Sequence, residues 1–334
     1  MTRSSTGGLR LSVLITNYNY GRFLDECIAS VRSQTRAADQ IVVVDDGSTD
    51  GSRERLAVEP GVDVVLQEQR GQAGAIDAAV AASDGDLLFL LDADDVFLPH
   101  KLERIARIFE QMPDVEWLRH PLELVDTQLQ ALGVRVPPVH RSGRIPPHRG
   151  MIAERVVTAA TSGVVLRRSL AQRVFPLVRA QDDEAPFRLA RDADALLLGR
   201  IAQAGAHGYT LNEVLTHYRR HEQQMFPKAA DLRVLLERQI RVADAIAHEL
   251  GFANGDGREP SQSQKHRMIL ATLDGAPAFA ARRSRAWLAG ARSIAAALWD
   301  RPLAAARQLG ALTFAWVAPR TWLRRFHRGQ AWSR

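Results

Sequence analysis

Four short apolar runs, each breaking off into a polar or acidic loop, recur along the first 95 residues with helical patterns between them. The runs are Leu11 to Ile15, Ile41 to Val44, Val62 to Leu66 and Leu87 to Leu91. Between them Phe23, Cys27, Ile28 and Val31 share a helical spacing, Ser52 to Ala57 reads as a short helix, and Gln72 to Ala82 is Ala-rich. Strands alternating with helices in this way predict an α/β fold, with a mostly parallel, Rossmann-like sheet flanked by helices and right-handed connections. The fourth run constrains the fold most, because a continuous apolar stretch suits a strand buried on both faces.

In such sheets ligands sit at the carboxyl ends of the strands. Thr16, Asn17 and Tyr18 follow the first run, Asp45 and Asp46 the second, Gly71 and Gln72 the third, and Asp92-Ala93-Asp94-Asp95 the fourth. Any one of these loops alone reads as turn chemistry or a helix cap. Four of them at one edge read as a site. Three carboxylates within four positions repel one another, and such clusters hold a hard divalent cation that binds phosphate oxygens. The competing reading is an N-cap for the helix that opens near Pro99, for which one Asp would suffice. No Gly-x-Gly-x-x-Gly follows the first run and no Walker lysine loop is present, so the dinucleotide and P-loop fingerprints are absent.

The 334 residues, 46% hydrophobic and 25% charged, can form one large domain or a domain with an appended segment. Cys27 is the only cysteine, which excludes an intramolecular disulfide framework and fits a reducing, cytoplasmic location. Its helical neighbours make it a core residue rather than a nucleophile. Neither a signal-peptide pattern nor a run of about 18 apolar residues is found. The net charge of +6 is carried by the tail: Arg282 to Arg334 holds eleven arginines, one acid (Asp300) and five of the six tryptophans, so the rest is mildly acidic. Arginine with tryptophan on helical segments suits an anionic lipid surface. A helical subdomain with its aromatics packed inward is the alternative. Nucleic acid is not an expected partner, since the rest of the chain would repel it.

Four stretches together carry a resemblance: Leu-Ser-Val-Leu-Ile-Thr-Asn-Tyr-Asn at 11 to 19, Ser-Val-Arg-Ser-Gln-Thr at 30 to 35, Ile-Val-Val-Val-Asp-Asp-Gly-Ser-Thr-Asp at 41 to 50, and Leu-Leu-Asp-Ala-Asp-Asp at 90 to 95. In order and spacing they resemble a family 2 glycosyltransferase of the GT-A fold, specifically over residues 10 to about 125 and more faintly to about 225. The resemblance implies a nucleotide-sugar-binding half (1–125), an acceptor-binding half (126–228) and a helical C-terminal region with a basic, Trp-rich tail (229–334). It implies nucleotide contacts at Thr16, Asn17 and Tyr18, a base-reading carboxylate at Asp46 or Asp45, and sugar or phosphate contacts at Gly71 and Gln72. Asp92, Ala93 and Asp94 correspond to the family's Asp-x-Asp element. Mg²⁺ or Mn²⁺ is then implied at Asp92, Asp94 and Asp95, with His221 on phosphate or metal.

The acceptor-side elements implied are a strand within Thr161 to Arg168 and a closing segment from Val214 to His221, in which an Arg and a His would sit near the diphosphate and His217 reads as structural. The base of an inverting transfer corresponds to Asp192, although Arg191 stands where the family has Glu, and Asp192 and Asp194 equally suit a helix N-terminus. A second departure is Ala75-Ile76-Asp77 where the family often has Ala-Arg-Asn, which removes an arginine from the diphosphate side, so that either Arg70 substitutes or the donor is held differently. Arg135 to Gly150, rich in Pro, Arg and His without periodicity, reads as a loop across the site's mouth or a disordered connection, and Gly251 to Gln264 as a soft boundary. The activity implied is metal-dependent, inverting transfer of a sugar from a UDP- or GDP-linked donor to a glycan or lipid-linked acceptor in cell-surface polysaccharide synthesis. Its place would be the cytoplasm, peripheral on the inner face of the cell membrane through the tail. The alternatives are a nucleotidyltransferase, whose Gly-rich loop is missing, and a binding module with a broken site, prompted by Ile76 and Arg191.

Overall fold

In the computed structural model the described residues are 8–137, 139, 141–145, 147, 160–178 and 193–222. The sequence pattern is realised as β1 (Leu11–Asn17), α1 (Gly21–Arg32), β2 (Gln40–Asp45), α2 (Ser52–Leu56), β3 (Asp63–Leu66), α3 (Gly71–Ala82) and β4 (Leu87–Asp92). The four strands are parallel in the order β3-β2-β1-β4. Leu87 to Leu91 are all buried, as a strand covered on both faces requires. Burying each such side chain contributes about 1.5–3 kcal/mol, which is why this run tolerates no polar interruption.

Helix α1 is amphipathic and sinks Phe23, Leu24, Cys27, Ile28 and Val31 into the core, so Cys27 is a core residue. Helix α3 carries mainly alanine, whose small side chains let its backbone approach the sheet closely, and buries Ala73, Ala75, Ile76 and Ala79. The pairing register then aligns the strand ends. Thr16 lies opposite Asp92, and Asn17 opposite Asp45.

Beyond β4 the chain forms β5 (Val96–Phe97), α4 (Lys101–Gln111), β6 (Trp117–Arg119), β7 (Leu122–Val125), β8 (Ala131–Val136), β9 (Gly143–Ile145), a 3-10 turn at Thr161–Gly163, β10 (Val164–Arg167), and helices at Arg168–Val174 and Ala193–Gln203. It then forms β11 (Gly208–Thr210) and β12 (Thr216–Arg219). The main sheet continues β4-β10-β6-β11-β9, and a second sheet has the order β5-β12-β7-β8. Strand β10 is antiparallel to both β4 and β6. It leaves the Thr161–Gly163 turn, where the Ser162 Oγ accepts the N–H of Asp92 at the end of β4, so it must run back against β4. Gly163 is required there, because a Cβ would come within 2.8 Å of the His120 carbonyl oxygen.

The loop expected over Arg135 to Gly150 is corrected in part. Residues 131–136 pair with β7 and residues 143–145 with β11. Both are edge strands with exposed side chains, held by backbone hydrogen bonds, and so carry no apolar alternation.

The chain divides into two compact units. The first comprises residues 1–147, 159–194 and 206–221, and it contains both sheets. The second comprises 148–158, 195–205 and 222–334; its described part is the body of the helix Ala193–Gln203, with Leu197, Leu198, Ile201 and Ala202 buried, and Glu222. Residues 229–334, with the boundary at Gly251 to Gln264 and the basic tail, lie outside the described residues. Among the described residues no helix is long and apolar enough to cross a membrane.

Candidate active site

The parallel strands deliver their polar loops to one edge. Asn17 Nδ2 donates to Asp45 Oδ2 at 2.8 Å and to Ser48 Oγ at 3.2 Å, while the Ser48 N–H donates to Asp45 Oδ1 at 2.9 Å. Asp45 is fully buried, and both of its oxygens are engaged in tying the first loop to the second. Asp46 Oδ1 accepts from Gln67 Nε2 at 2.6 Å and from the Arg70 N–H at 2.8 Å, which ties the second loop to the third. Burial raises the Asp46 carboxyl above its ordinary range, against those hydrogen bonds. The turn between these carboxylates and the third loop needs Gly47, whose φ of +85° brings it against Gln69. Tyr18 is 39% exposed at the same edge.

Asp92 Oδ1 accepts from Thr16 Oγ1 at 3.1 Å and from Gln72 Nε2 at 2.9 Å. Gln72 also reaches Thr161 Oγ1 at 3.3 Å, and Gly71 opens α3 beside it. Burial, then the charge of Asp94, pushes the Asp92 carboxyl up to about 7, although Gln72 and Thr16 stabilise the ionised form. Ala93 is buried between the two acids, its N–H on the Thr16 carbonyl at 3.0 Å. Asp94 Oδ2 meets His221 Nε2 at 3.0 Å, and Arg22 Nη2 lies 3.2 Å from His221 Nδ1. A guanidinium only donates, so Nδ1 accepts and the proton of the neutral ring sits on Nε2, facing Asp94. Asp95 is fully buried: Oδ1 accepts the Arg219 N–H at 3.1 Å and Oδ2 has no partner among the described residues. Burial, Asp94 and Asp92 together drive its carboxyl well above the carboxylate range.

None of these acids caps α4, whose N-cap is His100 with no side-chain cap bond, so the N-cap reading of the triplet falls. The expected residues Thr16, Asn17, Tyr18, Asp45, Asp46, Gly71, Gln72, Asp92, Ala93, Asp94, Asp95 and His221 all belong to the first unit. Asp192, the base implied by resemblance, lies outside the described residues. His217 is half-buried on β12, 3.9 Å from Glu123. Lys101 was not singled out from the sequence, and Arg219 was expected only as an unspecified Arg of the closing segment. Lys101 is fully buried, and Arg219 stacks on Phe23 while reaching the Asp94 carbonyl at 2.9 Å. A signal for Lys101 existed, since residues 101, 105, 108 and 109 share one helical face and the last three are apolar.

Among the described residues no three His, Cys, Asp or Glu side chains are spaced to hold a metal ion by themselves. Mg²⁺ and its analogues need no such cage, being commonly held by one or two carboxylates plus substrate phosphates and water. Asp92 and Asp94 fit that role. Burial first, and the charge of Asp94 after it, raises Asp92, and a cation beside the pair would offset both. His221 would ligate only after moving its Nε2 proton.

Residues 12–175 match the family described as Glycosyl transferase family 2. The chain carries a family 2 glycosyltransferase domain. An uncharacterized glycosyltransferase of Nostoc sp. is 34% identical over 229 residues, 64% of this chain and 65% of the relative, so the match spans just under two thirds of that protein's length. Among solved structures, Staphylococcus aureus TarS 1–349 in complex with UDP-GlcNAc superposes with a TM-score of 0.58 at 16% identity, over 96% of this chain and 92% of TarS 1–349. The Pyrobaculum calidifontis mannosyltransferase PcManGT, in complex with GDP-Man and Mn²⁺, gives a TM-score of 0.50 at 18% identity, over 98% and 86%. At these identities the two structures establish the GT-A fold alone.

The glycosyltransferase domain departs from the family pattern at Ile76 and Asp77, and both have structural uses here. Ile76 is buried on the sheet side of α3. Asp77 accepts the N–H groups of Leu177 at 2.6 Å and Val178 at 2.9 Å, pinning the chain after the helix Arg168–Val174.

Proposed function

We propose that the protein transfers a sugar from a nucleoside diphosphate sugar to a hydroxyl of a glycan or lipid-linked acceptor, with inversion and with a divalent cation. The observation that supports this reading is the juxtaposition of Asp92 and Asp94 with Thr16, Gln72, Asp46 and Tyr18 at one sheet edge of a family 2 glycosyltransferase domain. Tyr18 presents its ring for the nucleobase, and Asp46 is the carboxylate suited to a base N–H, because Asp45 has both oxygens committed. Arg70, whose N–H holds Asp46 next to the first turn of α3, takes over the diphosphate contact that Ile76 cannot make.

Asp92 and Asp94 would hold Mg²⁺ or Mn²⁺, which as a Lewis acid stabilises the charge that grows on the leaving diphosphate. Thr16 and Gln72 keep the Asp92 carboxylate oriented towards that position. Asp192 is assigned the acceptor proton on the strength of the family resemblance, and the Arg-Trp tail is assigned to an anionic lipid surface, where a lipid-linked acceptor would reside.

The test is a donor screen: full-length protein with a panel of UDP- and GDP-linked sugars, in Mn²⁺ or in chelator. Release of UDP or GDP from one donor, only with metal, is expected, and the anomeric configuration of the product by NMR reports inversion. Pyrophosphate release, or no nucleoside diphosphate from any donor, would overturn the assignment. Liposome sedimentation of the chain with and without residues 282–334 tests the tail, and equal sedimentation would remove the membrane role.

A further inference from the structure

Lys101 is 0% exposed, on the apolar face of α4, and its ammonium is fully bonded into the protein. Nζ donates to the Ser162 carbonyl at 2.6 Å and to Thr216 Oγ1 at 2.8 Å, and sits 3.6 Å from the Phe97 ring centroid. Thr216 Oγ1 donates in turn to the same Ser162 carbonyl at 3.2 Å, closing a triangle. Each partner belongs to a segment that holds part of the acidic loop. Ser162 Oγ takes the Asp92 N–H at 3.0 Å. Phe97 follows Asp95 by two residues and pairs with Thr216 across β5 and β12. Strand β12 then supplies the Arg219 N–H to Asp95 and leads into His221 on Asp94.

Burying an ammonium costs several kcal/mol unless it is well paired, and a methionine would fill the same place on the helix without that cost. Burial accordingly depresses the Lys101 ammonium well below its ordinary range, and the charge of Asp95 resists the shift. A group retained at such a cost has a use other than packing. Its three contacts converge on the backbone and side chains that set where Asp92 and Asp94 stand.

We propose that Lys101 is the positioning residue of the acidic loop, tying β5, β12 and the Thr161–Gly163 turn at the spacing with which Asp92 and Asp94 grip a metal diphosphate. The inference rests on the metal–diphosphate reading of that loop given above. It requires no contact between Lys101 and the donor.

The experiment measures Mn²⁺ binding to the full chain by electron paramagnetic resonance with UDP or GDP present, for the parent, Lys101→Met, Thr216→Val and the combined variant, with thermal melts alongside. Cooperative melting, with Mn²⁺ affinity down tenfold or more in Lys101→Met and about threefold in Thr216→Val, is expected. The combined variant should bind no more weakly than Lys101→Met, because both changes cut the same tie. A folded Lys101→Met with affinity within twofold of the parent would overturn the proposal. If Lys101→Met does not fold, an unchanged affinity in Thr216→Val overturns it instead. A parent that binds no Mn²⁺ with either nucleotide defeats the metal reading itself and this inference with it, a result distinct from a parent and variants that bind alike.

Discussion

The parallel half of the main sheet and the outermost strands β8 and β9 of the two sheets are built on different terms. Strands β1, β2 and β4 are parallel, and their interior residues Leu11, Val13, Val43, Leu87, Phe89 and Leu91 are buried without exception. Strands β8 and β9 lie at sheet edges and are mostly exposed. The inner strands of the parallel half derive their order from apolar burial, the edges from backbone pairing. A site placed on those inner strands therefore inherits a rigid base, while β8 and β9 are free to vary in sequence without losing their pairing.

Phe89→Ala is the severest test of this contrast. Removing a fully buried ring from the central strand should cost about 3–5 kcal/mol. Arg144→Ala on β9, by comparison, should leave stability close to that of the parent, its pairing with Asp114 being an exposed ion pair. Urea denaturation of both variants decides it. Equal losses would mean that the edges carry burial the exposed side chains do not reveal.

Chemistry at the rim gives the next largest effect. Asp94→Asn keeps the shape and a hydrogen bond for His221 but removes the charge. Donor turnover should drop about a hundredfold to a thousandfold, as for loss of one preorganised electrostatic partner, with the melting temperature little altered. Turnover within a few fold of the parent would detach the acidic loop from the reaction.

The same contrast explains what could be read from the chain beforehand. Leu87 to Asp95 declared both the strand and the site because continuous burial and a sudden break in polarity are properties of single residues in order. The edge strands β8 and β9 had no such mark, since Ala131, Arg135 and Arg144 form pairs through their backbones. The reversed β10 depends on where the Thr161–Gly163 turn docks, a long-range contact that local pattern does not encode. Asp45 and Asp46 look alike in sequence, yet hydrogen bonding divides them: the first is consumed by Asn17 and Ser48, while the second serves Gln67 and Arg70. Lys101 was hidden by its own charge, which suggests the surface although its helical phase points inward.

One link between the halves should show a smaller effect. Asp77, on α3 of the parallel half, accepts two consecutive N–H groups from the chain that follows the helix Arg168–Val174. Asp77→Ala leaves those donors unpaired and should cost about 1–3 kcal/mol, while faster exchange at Leu177 and Val178 in hydrogen–deuterium experiments localises the loss. Asp77→Asn, with one acceptor oxygen, should recover part of it. Uniformly faster exchange across β1 to β4 instead would show that Asp77 supports the parallel half rather than the connection.

The smallest effect lies within the parallel half, in the same loop that holds Asp45 and Asp46. Asp50 Oδ2 accepts the Gly21 N–H at 2.8 Å, and Oδ1 accepts from the Ser52 N–H at 3.1 Å and the Ser52 hydroxyl at 2.5 Å, so one carboxylate joins the starts of α1 and α2. Burial works against its ionisation, but the bonds from Ser52 and Gly21 outweigh it and hold the carboxyl below the usual carboxylate value. A folded-state pKa below the unfolded value of about 3.9 means that the ionised form stabilises the fold; the contribution is present above that value and is lost as pH falls through the folded pKa. Asp50→Ala should therefore cost about 1 kcal/mol at pH 7, the usual worth of a cap, and the gap to the parent should narrow as the pH drops below about 4. A gap near zero at pH 7 would mean that the loop is held by its backbone alone, and a gap that stays constant down to pH 3 would mean that the contribution of Asp50 does not depend on its charge.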